Sequence, residues 1–76
     1  MKNVDIKIYG LVQGVGFRPF IHKQISDHSL LGWIRNTSEG AEIDIEGEEA
    51  RVALFEEELW TKAPKLAVIE SVRVEK

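Results

Sequence analysis

The sequence has 76 residues, a formal net charge of −3 and no cysteine. That length suits one small domain with a thin core. The lack of thiols excludes disulfide staples and thiolate metal sites, and the acidic balance argues against non-specific nucleic-acid binding, which draws on an excess of Lys and Arg. No apolar run approaches the roughly 20 residues that span a bilayer, and residues 1–5 lack the apolar stretch of a signal peptide. The expectation is a cytoplasmic protein without a membrane segment.

Val4, Ile6 and Ile8 alternate with Asp5, Lys7 and Tyr9, the pattern of a half-buried strand that runs on through Leu11 and Val12. The stretch that follows reads Gln13-Gly14-Val15-Gly16-Phe17-Arg18-Pro19-Phe20. Phe17, Phe20, Ile21 and Ile25 then fall near helical spacing, with His22, Lys23, Ser26 and Asp27 on the other face. The spacing predicts a helix over 19–28, with Pro19 at its first position. Its exit is unusual, because Ser29 stands where glycine or asparagine normally takes the left-handed cap.

A second strand is expected over 31–35, with Trp33 as its large core side chain, and residues 36–40 read as a turn. Ala41, Ile43 and Ile45 alternate with Glu42, Asp44 and Glu46, which gives a third strand with one acidic face. Residues 48–62 form a second helix with Val52, Phe55 and Leu59 as its buried stripe. Glu48 and Glu49 lie in its first turn and Lys62 in its last, as the helix dipole favours, and Pro64 follows its end. A fourth strand spans 67–74. Trp60 is read at the rim of the second helix, His22 and His28 on the solvent side or at the helix end, and the run of Glu56, Glu57 and Glu58 as a solvated face.

The order β-α-β-β-α-β specifies an α+β, ferredoxin-like fold, a four-stranded antiparallel sheet with two helices on one face. In that topology the second strand runs parallel to the first. Its end, at Asn36, therefore reaches the same edge as the glycine loop, so Arg18 and Asn36 are expected as spatial neighbours.

A strand-to-helix junction with two glycines points several backbone N–H groups into one concavity at the positive end of a helix. Gly14 and Gly16 allow positive φ and close approach of an oxyanion. Arg18 adds a planar fork of donors that fits phosphate oxygens. A tight turn bearing a surface arginine is the plainer reading of the same residues, and a turn-forming Asn36 the plainer reading of the second motif.

Val12-Gln13-Gly14-Val15-Gly16-Phe17-Arg18, followed by Gly32-Trp33-Ile34-Arg35-Asn36, resembles the signature of the acylphosphatase family in composition and spacing. Within that family, Pro19-Phe20 after the arginine, the Gly40-Ala41-Glu42-Ile43 stretch and residues 63–72 resemble the N-terminal acylphosphatase-like domain of HypF-type carbamoyltransferases of nickel–iron hydrogenase maturation. The resemblance covers most of residues 1–76, taken as a single acylphosphatase-like domain.

The resemblance implies hydrolysis of acyl phosphates, including carbamoyl phosphate, to carboxylate and phosphate. It implies a phosphate cradle from the backbone of Gln13, Gly14, Val15, Gly16, Phe17 and Arg18, with Arg18 clamping the phosphoryl oxygens and Asn36 orienting water. No metal and no cofactor is called for. The implied partners are a small acyl phosphate or inorganic phosphate and, on the HypF likeness, further domains of a larger maturation enzyme. No nucleic acid is implied, since the strands lack an aromatic RNA-binding motif and the sheet face is acidic. A non-catalytic anion-binding or interaction module with the same fold is the alternative. Two departures stand against the family pattern: Ser29 replaces a turn glycine, and the chain stops before the short fifth strand that acylphosphatases usually carry.

Overall fold

The computed structural model describes residues 1–75. Its elements follow the expected order: β1 (Lys2–Leu11), α1 (Phe17–Asp27), β2 (Leu31–Thr37), β3 (Gly40–Gly47), α2 (Glu49–Thr61) and β4 (Val68–Glu75). The strands form one antiparallel sheet in the order β2-β3-β1-β4. β1 and β3 are central, and β2 and β4 are the edges.

The alternation of apolar residues decides which face is covered. Val4, Ile6 and Ile8 of β1 and Ala41, Ile43 and Ile45 of β3 are all buried. They form one core with Phe17, Ile21 and Ile25 of α1 and with Val52, Phe55 and Leu59 of α2. Side chains two apart share a face of a strand. The opposite face therefore carries Asp5 and Lys7 of β1, Glu42 and Asp44 of β3, and Arg35 of β2, which pairs with Glu42.

β2 departs from expectation in two ways. Trp33 is not core: it is 45% exposed, because Ile34, buried at 7%, takes the inward face and the parity of the strand turns Trp33 outward. The bulk of the tryptophan outweighed the parity signal in the sequence. Residues 36 and 37 are also strand rather than turn, since Asn36 pairs with Ala41 and Thr37 with Gly40. Ser38 and Glu39 alone make the reversal.

Both ends of α1 have a local cause. The helix begins at Phe17, two residues before Pro19. Gly16 sits in the left-handed region (φ 82°, ψ 10°) and reverses the chain so that Phe17 enters the core on the first turn. Pro19 is then the third helical residue, a position whose N–H has no intrahelical partner in any case. At the other end, the Leu30 N–H donates to the Ile25 carbonyl (2.9 Å) and the Ser29 N–H to the Ser26 carbonyl (3.1 Å). These are the two bonds of a Schellman cap. Ser29 occupies its left-handed position with φ 53°.

α2 packs against α1 through a polar contact as well as through the core. His28 Nε2 lies 2.9 Å from Glu58 Oε1 and 3.0 Å from Gln24 Oε1. The His28 contact holds the Glu58 carboxyl below its ordinary pKa. Gln24, only 7% exposed, was not legible as a buried residue; its partner His28, one turn on, is what makes its burial tolerable.

Candidate active site

The chain leaves β1 at Leu11, turns through residues 13–16 and enters α1 at Phe17. Gly14 (φ 71°) and Gly16 (φ 82°) both lie in the left-handed region. A Cβ at either position would meet nothing within 4 Å, so these glycines serve the path of the backbone and leave open space beside it.

The first turn of α1 is uncapped. No side chain accepts from its N-terminal amides, and no acidic residue stands in that turn. The first bond of the helix runs from the Phe20 N–H to the Gly16 carbonyl (3.2 Å). Residues 13–16 make a turn, yet among the described residues no main-chain N–H of residues 13–18 donates a close, well-aligned hydrogen bond. A row of unspent donors at the positive end of a helix attracts an anion.

Asn36 arrives from β2. It lies two residues beyond Ile34, so it shares the helix-covered face, but at the strand end where the core gives way to the start of α1. Two hydrogen bonds fasten this end of β2 and its turn to the loop and to the end of β1. The Gln13 side-chain amide donates to the Thr37 carbonyl (2.8 Å), and the Gly10 N–H donates to the Glu39 carbonyl (3.0 Å).

The result is a concavity of about 440 Å³. Gln13, Gly14, Gly16, Phe17, Arg18 and Asn36 all line it, and Val12 and Phe17, both buried, form its apolar floor. Val15 does not line it; its side chain packs against the core, leaving only its main chain for the loop. Pro19 and His22 complete the wall. His22 is exposed, as expected, and its spacing of four from Arg18 on one helix brings it to the same rim.

The electrostatics of this rim oppose those of the whole chain. Among the described residues, the lining includes the Arg18 guanidinium and no carboxylate. Arg18 makes no ion pair or hydrogen bond among the described residues, in contrast to Arg35 and Arg51, which are paired with Glu42 and Glu48. The Asn36 side chain is likewise uncommitted. The acidic residues Asp5, Glu42 and Asp44 crowd the far face of the sheet. Burial, then the nearby Glu42 carboxyl and the charge of Asp44, push the Asp5 carboxyl up to about 6.

With this geometry in place, the chain can be set beside known proteins. The family model described as acylphosphatase matches residues 4–76. The chain belongs to the acylphosphatase family. Among its relatives, carbamoyltransferase HypF of Synechocystis sp. is 40% identical over 75 residues, covering 99% of this chain and 10% of that protein. The acylphosphatase of Oceanobacillus iheyensis is 32% identical over 75 residues, covering 97% of this chain and 82% of that protein.

Solved structures agree. A full-length HypF in its phosphate- and nucleotide-bound form superposes with a TM-score of 0.93 at 40% identity, over 96% of this chain and 10% of that one. The acylphosphatase of Bacillus subtilis superposes with a TM-score of 0.91 at 32% identity, over 99% and 83%. The chain thus spans about a tenth of the HypF proteins it matches and most of the acylphosphatases. The family is one of hydrolases, and the β-α-β-β-α-β acylphosphatase fold is the one this chain adopts. Among the described residues, no helix is long and apolar enough to cross a membrane.

Proposed function

We propose that the chain hydrolyses acyl phosphates to a carboxylate and inorganic phosphate, with the loop of residues 13–18 as the phosphate cradle, Arg18 as its clamp and Asn36 as the residue that orients water. One observation carries this reading. Unspent main-chain amides, an unpaired guanidinium and an uncommitted side-chain amide meet in one carboxylate-free concavity.

The chemistry needs little more. The amides of residues 13–18 and the Arg18 fork hold the phosphoryl oxygens and spread the charge that develops on them. Asn36, fixed by the tether of its strand end to the loop, hydrogen-bonds a water on the side opposite the acyl group. The water oxygen forms a bond to phosphorus as the bond from phosphorus to the acyl oxygen breaks. The bonding pair leaves with the carboxylate. The water's proton passes to a phosphoryl oxygen, so no side-chain base is required. A carboxylate is a good leaving group, which leaves positioning and charge stabilisation as the protein's share.

The HypF likeness extends this reading. In a longer chain the same pocket would process carbamoyl phosphate for a maturation enzyme, with residues 1–76 as its acylphosphatase-like domain and the cytoplasm as its compartment. The phosphate bound by a HypF relative is the kind of ligand this loop would take.

The test is hydrolysis of acetyl phosphate, together with titration of inorganic phosphate, by the native chain, Arg18→Ala and Asn36→Ala. Arg18→Ala loses both phosphate affinity and turnover. Asn36→Ala loses turnover by about 100-fold or more but binds phosphate as the native chain does. Equal turnover in all three proteins overturns the enzyme reading. Phosphate binding without turnover in the native chain identifies an anion-binding module instead.

A further inference from the structure

Four polar side chains line the concavity: Gln13, Arg18, His22 and Asn36. Three of them already have a role. Gln13 is spent on the Thr37 carbonyl, Arg18 faces the phosphoryl group and Asn36 serves the water. His22 remains. It stands one turn along α1 from Arg18, is exposed, and has no hydrogen-bond partner among the described residues, whereas His28 is locked between Gln24 and Glu58.

The concavity is also larger than a phosphate requires. Its volume of about 440 Å³ leaves room beside a seated phosphate for the rest of a small substrate. With the phosphoryl group seated on the amides at the N-terminus of α1, the rest of the substrate extends along the wall that continues up the helix. That wall is Pro19 and His22.

We infer that His22 is a specificity residue that reads the acyl end of the substrate, favouring short acyl groups that offer a hydrogen-bonding atom over apolar groups of the same size. The inference rests on the acyl phosphate reading above and adds the group that chooses among such substrates. An imidazole suits the role because it can either donate or accept. A hydrogen-bonding group that meets an apolar isostere is left unpaired, and that loss is the source of the discrimination.

The test uses an isosteric pair, carbamoyl phosphate and acetyl phosphate, which differ by an amino group in place of a methyl. The ratio of kcat/KM for the two is measured for the native chain, His22→Ala and His22→Gln, and inorganic phosphate is titrated into each. The native chain prefers carbamoyl phosphate. His22→Ala lowers the ratio roughly 3- to 10-fold, while its phosphate affinity stays within about two-fold of native. His22→Gln, which keeps a donor and an acceptor, retains most of the preference.

An unchanged ratio in His22→Ala overturns the inference. So does a parallel loss of phosphate affinity, which would make His22 part of the phosphate cradle. If the native chain hydrolyses neither compound, the enzyme reading fails. His22 is then judged by competition of carbamoylphosphonate and acetylphosphonate against phosphate, where the same ratio must shift in His22→Ala.

Discussion

The side-chain amide of Gln13 reaches across 24 residues of chain to donate a 2.8 Å hydrogen bond to the carbonyl of Thr37. Thr37 follows Asn36 on β2, so this bond fixes the strand end to the loop that ends in Arg18. The two halves of the proposed site are therefore registered to each other by a contact that is not itself chemical machinery.

Gln13→Ala removes that registration. The bond is exposed, so the expected stability loss is only about 1 kcal/mol. Turnover should fall more than phosphate binding, because the amides of the loop remain while the position of Asn36 relaxes. Acyl phosphate kinetics beside a phosphate titration measure the split.

Arg18→Lys tests whether the guanidinium matters as a fork or only as a charge. Lys keeps the charge but cannot engage two oxygens in one plane. The expected outcome is a roughly 10-fold loss of phosphate affinity, intermediate between native and Arg18→Ala. Perturbation of the amide NMR signals of residues 13–18 during a phosphate titration reports it, and affinity equal to native would reduce Arg18 to a point charge.

Ser29→Gly should stabilise the fold. Ser29 holds a left-handed conformation at φ 53° that an L side chain resists, at a cost of about 1 kcal/mol. Glycine relieves it without touching the pocket. Thermal unfolding should show Tm rising by roughly 4–8 °C for a domain of this size, with phosphate affinity unchanged.

Asp5→Asn should stabilise the fold at neutral pH and not in acid. The Asp5 carboxyl is pushed up to about 6 in the fold from an ordinary value of 3.8, so between those values the folded state binds more protons than the unfolded chain. Stability from this group is therefore present in acid, falls as pH rises through that window and stays low above it. Asn abolishes the titration and still offers a donor to Glu42. The expected gain is about 1 kcal/mol at pH 7.5, less than the full shift because solvent screens the group, and near zero at pH 3.5, read from urea unfolding at the two pH values.

Much of this molecule could be read without coordinates, and the exceptions have physical causes. The apolar alternation of Val4, Ile6 and Ile8 and of Ala41, Ile43 and Ile45 marks the inner sheet face, because burial on one side imposes a period of two. The meeting of the loop with Asn36 follows from strand direction alone. Trp33 misled because one large residue says nothing of parity. The true length of β2 was hidden because Asn36 and Thr37 favour turns locally, and only pairing with Ala41 and Gly40 overrides that preference. His22 reads only as an exposed residue because no local pattern marks the solvent side of α1, near its start, as also the wall of a cleft.

β2 lies at the margin of the sheet, with a neighbour on one side only. Asn36 thus hangs from an edge strand, held by β3 on one side and by α1 on its inner face. Peeling of that margin would disarm hydrolysis while the central strands and the anion loop stay folded. In mild denaturant, loss of turnover should then precede loss of bulk structure, and the interval between the two would measure how far the outermost strand comes loose on its own.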